Sequence, residues 1–414
     1  MDITRRQVLV GGAAAALSST SFAGGVFQDK PTIKVGLIGC GGRGSGAIRD
    51  NLAAESGAVV WSIADLFGDR LENAYNGLKK DLGNRCQVGG RFYSGFDAYK
   101  QVLATDVDVV ILTTPPAFRH IHLAAAIAAG KHVFMEKPVA VDGPGIRSVI
   151  ASAAAAKAKN LTIVAGTQRR HDVAYNECIK AIKDGAMGDV LQMNCYWNQG
   201  GLWLNPRQPG WSDVETQIRN WLYYTWVGGD HIVEQHVHNL DVCNWVMGSH
   251  PVKAISMGGR QTRTDAAYGH VFDHFATEYE YANGVKMMSY CRQADGCASR
   301  VSEQIIGSKG QSNANTSIRG EKNWRFEGDR PNPYVLEHAR LYKSIKGSEG
   351  FNEGVQVAES TLTAIMGRMS AYSGEEITWE KALNSNVSLM PSPLGFNDLP
   401  VPAVAIPGTT KGVY

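Results

Sequence analysis

The chain lacks a charge excess: 41 basic residues stand against 39 acidic ones, a net of +2. A nucleic-acid binder ordinarily carries a strong basic excess or stripe, so nucleic acid is excluded as the expected partner and a small molecule is favoured. Cysteine pairs at metal or redox spacing are also missing. Cys40, Cys86, Cys178, Cys195, Cys243, Cys291 and Cys297 form an odd, scattered set without a CxxC, which excludes a disulfide scaffold or a zinc ribbon. No apolar run reaches the roughly 20 residues that a helical membrane span needs. What is present, 44% hydrophobic and 19% charged residues over 414 positions, is the composition of a folded globule long enough for two domains.

The first residues read Thr4-Arg5-Arg6-Gln7-Val8-Leu9, then the apolar Val10 to Leu17 and the small-residue site Ser21-Phe22-Ala23. This matches a twin-arginine signal peptide, residues 1–23, and predicts export to the periplasm. That route carries proteins already folded around their cofactors, so a tightly retained cofactor is expected. Folding in a reducing compartment agrees with the unpaired cysteines.

Ile33 to Ile38 reads as a buried strand leading into Gly39-Cys40-Gly41-Gly42-Arg43-Gly44 and a helix-like stretch from Ala47 to Leu52. This is GxGxxG in a strand-turn-helix setting. Gly39 suits the tight turn, Gly41 lets backbone approach a pyrophosphate, and Gly44 lets helix pack on strand; Gly42 and Arg43 lie within the same loop. The strand Ala58 to Ala64 ends in Asp65, placed to accept from ribose hydroxyls and to repel a 2′-phosphate. NAD(H) is therefore favoured over NADP(H). A third apolar run, Val107 to Leu112, ends in Thr113-Thr114-Pro115-Pro116; a helix over His122 to Ala129 and a strand His132 to Met135 follow. The alternation predicts a doubly wound parallel sheet over residues 32–155.

After that strand stands Glu136-Lys137-Pro138, preceded by Ala129-Gly130-Lys131-His132-Val133. With the GxGxxG and TTPP segments, this combination resembles the Gfo/Idh/MocA oxidoreductases, of glucose-fructose oxidoreductase and inositol dehydrogenase type. The resemblance extends through most of the chain beyond residue 32. It implies a Rossmann domain that binds the cofactor through Gly39, Gly41, Gly42, Arg43, Gly44, Asp65, Thr114, Pro115, Glu136 and Lys137. It places Lys137 beside the nicotinamide. A second family signature falls on Gly228-Gly229 through Asp241 and Trp245, with His238 at the catalytic histidine and Glu234 where the family usually has aspartate. Arg119 departs from the histidine commonly found five residues after the threonine, and His120 and His122 are the residues that could compensate for it. Val164 to Arg170 resembles the first strand after the nucleotide domain, and Arg169 is a candidate substrate contact.

Oxidising a secondary alcohol needs a hydride acceptor and a base. Burial and the positive nicotinamide both disfavour a protonated lysine, so Lys137 is a candidate base; His238 starts near neutrality. Sequence does not rank the two. Glu234, at i−4 on a continuous helix, would orient His238. His231, Glu234, His236 and His238 also have a spacing that could hold zinc, but they lack HExxH order, and no metal is expected.

From residue 156 to about 380 the pattern predicts an α+β domain with a large open, mainly antiparallel sheet, its strands at 190–197, 254–257, 274–281 and 285–290. A second subunit would cover one face of it, giving a homodimer or homotetramer. Trp197, Trp203, Trp211, Trp221, Tyr223, Tyr224 and Trp226 read either as a carbohydrate-stacking wall or as core. Trp197, Trp203, Trp226 and His236 join Arg169 as substrate-side candidates. A helix over 356–372 should return to brace the first domain, and residues 381–414 should form an extended arm, on this subunit or a neighbour. The reading is an exported NAD(H) oxidoreductase acting on a hydroxyl of a sugar, polyol or glycoside. Two rivals are a glycoside hydrolase that works by transient oxidation and a non-catalytic sugar-binding protein.

Overall fold

The computed structural model describes residues 32–410 and 412; the signal read over residues 1–23 lies outside them. The first sheet is built by β1 (Ile33–Ile38), α1 (Gly42–Ala54), β2 (Ala58–Asp65), α2 (Gly68–Leu82), β3 (Phe92–Ser94), α3 (Ala98–Leu103), β4 (Val109–Leu112), α4 (Pro116–Ala128), β5 (His132–Met135), α5 (Gly143–Ala158) and β6 (Ile163–Ala165). The order in space is β3-β2-β1-β4-β5-β6, with every pairing parallel. β4 and β6 are buried along their whole length because helices cover both faces. The order reverses between β1 and β4, which opens a crevice at the carboxyl ends of the strands, where such sheets take ligands.

Beyond it come α6 (Val173–Lys183), β7 (Val190–Gln199), α7 (Asp213–Arg219), α8 (Thr225–Gly228), α9 (His231–Glu234), α10 (Val237–Met247), β8 (Pro251–Gly259), β9 (His274–Tyr281), β10 (Lys286–Gln293), β11 (Arg300–Gly307), β12 (Gly310–Ser312), β13 (Ser317–Gly320) and β14 (Trp324–Arg325). These strands, with β15 (Ile377–Thr378), form a nine-stranded sheet in the order β14-β13-β12-β11-β7-β10-β9-β8-β15. The sheet is mixed but mostly antiparallel, since only β7 and β10 run parallel. Strict alternation of burial along β9 sends Phe275, Thr277, Tyr279 and Tyr281 inward. The opposite face leaves Ile255, Met257 and Tyr290 exposed.

The chain returns to the first sheet twice. α11 (Pro333–Gly347), which the sequence reading did not identify, buries Leu341 and Tyr342 in one core with β1 and α1, and Tyr342 donates to Asn51 Oδ1 at 2.5 Å. α12 (Gly354–Ser373) is the expected bracing helix, ended by Gly374 at φ +76°. Its buried Arg368 donates to the Gly229 and Val141 carbonyls at 3.0 and 2.8 Å, tying α12 to the turn before α9 and the loop after β5. After α13 (Trp379–Leu383), the tail is extended and lies on its own subunit. Leu389, Met390, Leu394 and Leu399 pack on a cluster that contains Phe67, Phe118 and Ile218, and the Phe396 ring lies 6.1 Å from that of Phe67 and 5.0 Å from that of Phe96.

Candidate active site

Gly39 turns the chain out of β1 at φ +102°, and a Cβ there would stand 2.6 Å from the Thr114 amide nitrogen. A Cβ on Gly44 would stand 1.9 Å from the Gly39 carbonyl oxygen, so glycine is what lets α1 start against β1. Gly41 and Gly42 instead face open space, and Gly41, at the N-cap of α1, supplies no side-chain acceptor. The result is a bare backbone cradle at a helix N-terminus, which fits a dinucleotide pyrophosphate. Asp65 accepts from the amides of Cys40 (2.7 Å) and Phe67 (2.9 Å), so the same carboxylate that would meet a ribose also pins the loop. Burial pushes its pKa up, and those two amides oppose the rise.

The cradle opens into a cavity of about 800 Å³ between the two sheets. Gly39, Gly41, Gly42, Arg43, Gly44, Asp65, Thr114, Pro115, Glu136, Lys137, Glu234, His238 and Trp203 all line it. Lys137 Nζ donates to Glu234 Oε1 at 2.9 Å and to the Glu234 carbonyl at 2.6 Å. An ammonium has three N–H groups, so one stays free for a ligand oxygen. Burial drives the His238 pKa well below the usual imidazole value, and nearby Lys137, Arg169 and Arg43 lower it further. A neutral ring results, able to accept a proton. The Trp197 ring stacks on it at 5.9 Å.

The expected support of His238 by Glu234 is corrected. Gly229 and Asp230 both take positive φ, +82° and +78°, and the helix stops at Glu234 and restarts at Val237. The break carries the Glu234 carboxylate to Lys137. Asp230 fixes the turn by accepting from the Phe272 amide and the Tyr372 hydroxyl. The four residues of the zinc spacing are likewise dispersed: His231 pairs with Asp230, Glu234 with Lys137, and His236 with Ser289 at 2.7 Å.

Four substrate-side candidates are not on the cavity wall. His236 is fully buried on Ser289, and Trp226 is held in the core by donation to Gln217 at 2.6 Å. Arg169 pairs with Glu303 and lies over the Trp197 ring, so Arg169 and Trp197 back His238 from behind. Arg43 turns from the open cradle to a carboxylate group of Asp50, Glu136 and Glu337. Of the two histidines near Arg119, His122 lines the cavity with its Nδ1 3.2 Å from Thr114 Oγ1, whereas His120 is not on the wall. The wall also includes Asn205 and Tyr334, which no motif marked, Gln168 from the Val164–Arg170 stretch, and Trp221, which the aromatic pattern had included.

Residues 33–166 match the model of the oxidoreductase family with an NAD-binding Rossmann fold, and residues 175–312 match the GFO/IDH/MocA C-terminal domain. Inositol 2-dehydrogenase 3 of Saccharopolyspora erythraea is 28% identical over 62% of this chain and 65% of its own length. Inositol 2-dehydrogenase of Azotobacter vinelandii is 27% identical over 62% and 66%. The chain thus spans just under two thirds of these relatives. Among solved structures, aldose-aldose oxidoreductase from Caulobacter crescentus superposes with a TM-score of 0.67 at 18% identity, over 84% of this chain and 99% of that one. Scyllo-inositol dehydrogenase from Lactobacillus casei, with bound NAD(H) and scyllo-inositol, gives 0.63 at 19% identity over 84% and 99%. Two adjoining domain matches, on a glycine cradle that faces a lysine and a histidine, place the chain in the GFO/IDH/MocA family of oxidoreductases.

Proposed function

We propose that the protein is an NAD(H)-dependent dehydrogenase that acts on a secondary hydroxyl of a sugar, polyol or glycoside. The observation that carries this reading is the convergence of Lys137, Glu234 and His238 on the cavity into which the glycine cradle opens. Relatives named as inositol dehydrogenases support the substrate class. Gly39, Gly41, Gly42, Gly44 and Asp65 would hold NAD, which when bound supplies the hydride acceptor. Lys137, held by Glu234, orients the hydroxyl with its third N–H, and neutral His238 takes the proton. Trp203 and Trp221 offer faces for the sugar ring.

The same reading includes export by the twin-arginine route with NAD retained, supported by Arg5-Arg6, Ala23 and seven free thiols. It also includes a homo-oligomer formed through the face that carries Ile255, Met257 and Tyr290. Denaturing the purified protein should release NAD(H), and a panel of polyols and hexoses should raise absorbance at 340 nm. Cleavage of aryl glycosides with no net change at 340 nm would assign the hydrolase chemistry instead. Absence of any nucleotide would remove the retained-cofactor reading.

A further inference from the structure

Arg119 stands in the first turns of α4, where the family pattern has histidine, and its side chain lines the cavity. The residue is only 2% exposed, and Nε and Nη1 are sealed from solvent without an acceptor among the described residues. The other cations on the wall are engaged. Arg43 meets three carboxylates, Lys137 meets Glu234, and Arg70 lies over the Phe67 ring beside Asp65. A buried guanidinium without an acceptor is costly, and its one nitrogen not sealed from solvent, Nη2, is the atom through which a group in the cavity can meet it.

Charge on the wall points the same way. Arg43 and Lys137 are each met by carboxylates at salt-bridge distance and Arg119 by none, while burial keeps His122 and His238 neutral. Burial also pulls the Arg119 pKa down to about 10, against the field of Glu136 and Glu234. Arg119 shares the cavity wall with Lys137, Glu234 and His238. The pyrophosphate has the α1 N-terminus, and the positive nicotinamide of NAD⁺ gains nothing from a second cation beside it.

We propose that Arg119 recognises a carboxylate on the substrate, so that the preferred class is a sugar acid, a uronate or aldonate, and not a neutral polyol. A planar carboxylate matches the planar N–H fork of a guanidinium. This inference rests on the dehydrogenase reading only for the chemistry that follows binding.

The test is calorimetry on the full chain saturated with NADH, which binds substrate without turnover. D-glucuronate, D-galacturonate and D-gluconate are titrated against D-glucose, D-galactose and D-glucitol, with glucose 6-phosphate as a further anion. At least one acid should bind about ten- to a hundredfold more tightly than its neutral counterpart. Arg119→Met should remove that preference and leave NADH affinity and melting temperature intact, and Arg119→Lys should restore part of it. The proposal is overturned if no acid is preferred, if the preference survives in Arg119→Met, if glucose 6-phosphate binds more tightly than every acid, or if both variants weaken NADH binding instead. An Arg119-dependent preference for acids with no change at 340 nm on adding NAD⁺ would remove the dehydrogenase reading and leave carboxylate recognition standing.

Discussion

Lys137 and Glu234, 97 positions apart, meet at 2.9 Å between Nζ and Oε1, each with a side chain 13% exposed. One comes from the end of β5 and the other from the end of α9, so the contact joins the two sheets across the cavity. Lys137→Met should lower kcat by about 10²- to 10⁴-fold, since it removes the group that orients the reacting hydroxyl. NADH affinity, read by fluorescence titration, should hold, because the cradle is untouched. Glu234→Gln keeps an acceptor but loses the charge, and should cost about one order of magnitude in kcat. Equal losses in NADH affinity for both variants would show that the pair serves the cofactor.

The pH profile should report His238. Its folded pKa is lowered, so the proton-accepting neutral ring persists as pH falls below the usual imidazole value. The acid limb of kcat/KM should therefore lie below about pH 6.5. An acid limb at or above that value would assign the step to another group. His238→Gln should remove an acid limb seen below that value.

Gly44 and Gly41 separate folding from binding. A Gly44→Ala methyl meets backbone at 1.9 Å with no side chain able to yield, and should cost about 3 kcal/mol or more by denaturant melt. Gly41→Ala adds its methyl in open space, so stability should be unchanged while NADH affinity falls at least about tenfold. A Gly41→Ala variant with native affinity would mean that the pyrophosphate lies elsewhere.

The tail should govern cofactor retention. Phe396 lies against Phe67 and Phe96, whose other sides line the cavity. Because Phe396 is half exposed, Phe396→Ala should cost only about 1 kcal/mol of stability. The rate of NADH release, followed by stopped-flow fluorescence, should nevertheless rise. An unchanged rate would reduce the tail to a structural strap.

Local chemistry made much of this legible beforehand. The glycine cradle was readable because turn geometry and close helix approach depend on residues within a few positions of one another. The strands read over 190–197 and 274–281 were legible from apolar patterning, the first running on to Gln199 in the structure. Helix spacing misled at Glu234, because α9 starts from Asp230, held by Phe272 and Tyr372 from distant segments, and ends at Glu234 before α10 begins at Val237. Aromatic composition could not divide Trp203, on the cavity wall, from Trp226, drawn into the core by Gln217. α11 went unread because its amphipathic face has meaning only against α1 and β1.

By itself, the sequence determined the dinucleotide fold and the family, both of which rest on short-range motifs. Only the tertiary structure decided that Glu234 serves Lys137, that Arg169 and His236 are held behind the wall, and that Arg119 is left without an acceptor. Those outcomes depend on which elements meet across the cavity, and hydrogen-bond satisfaction between distant segments is not encoded in any local pattern.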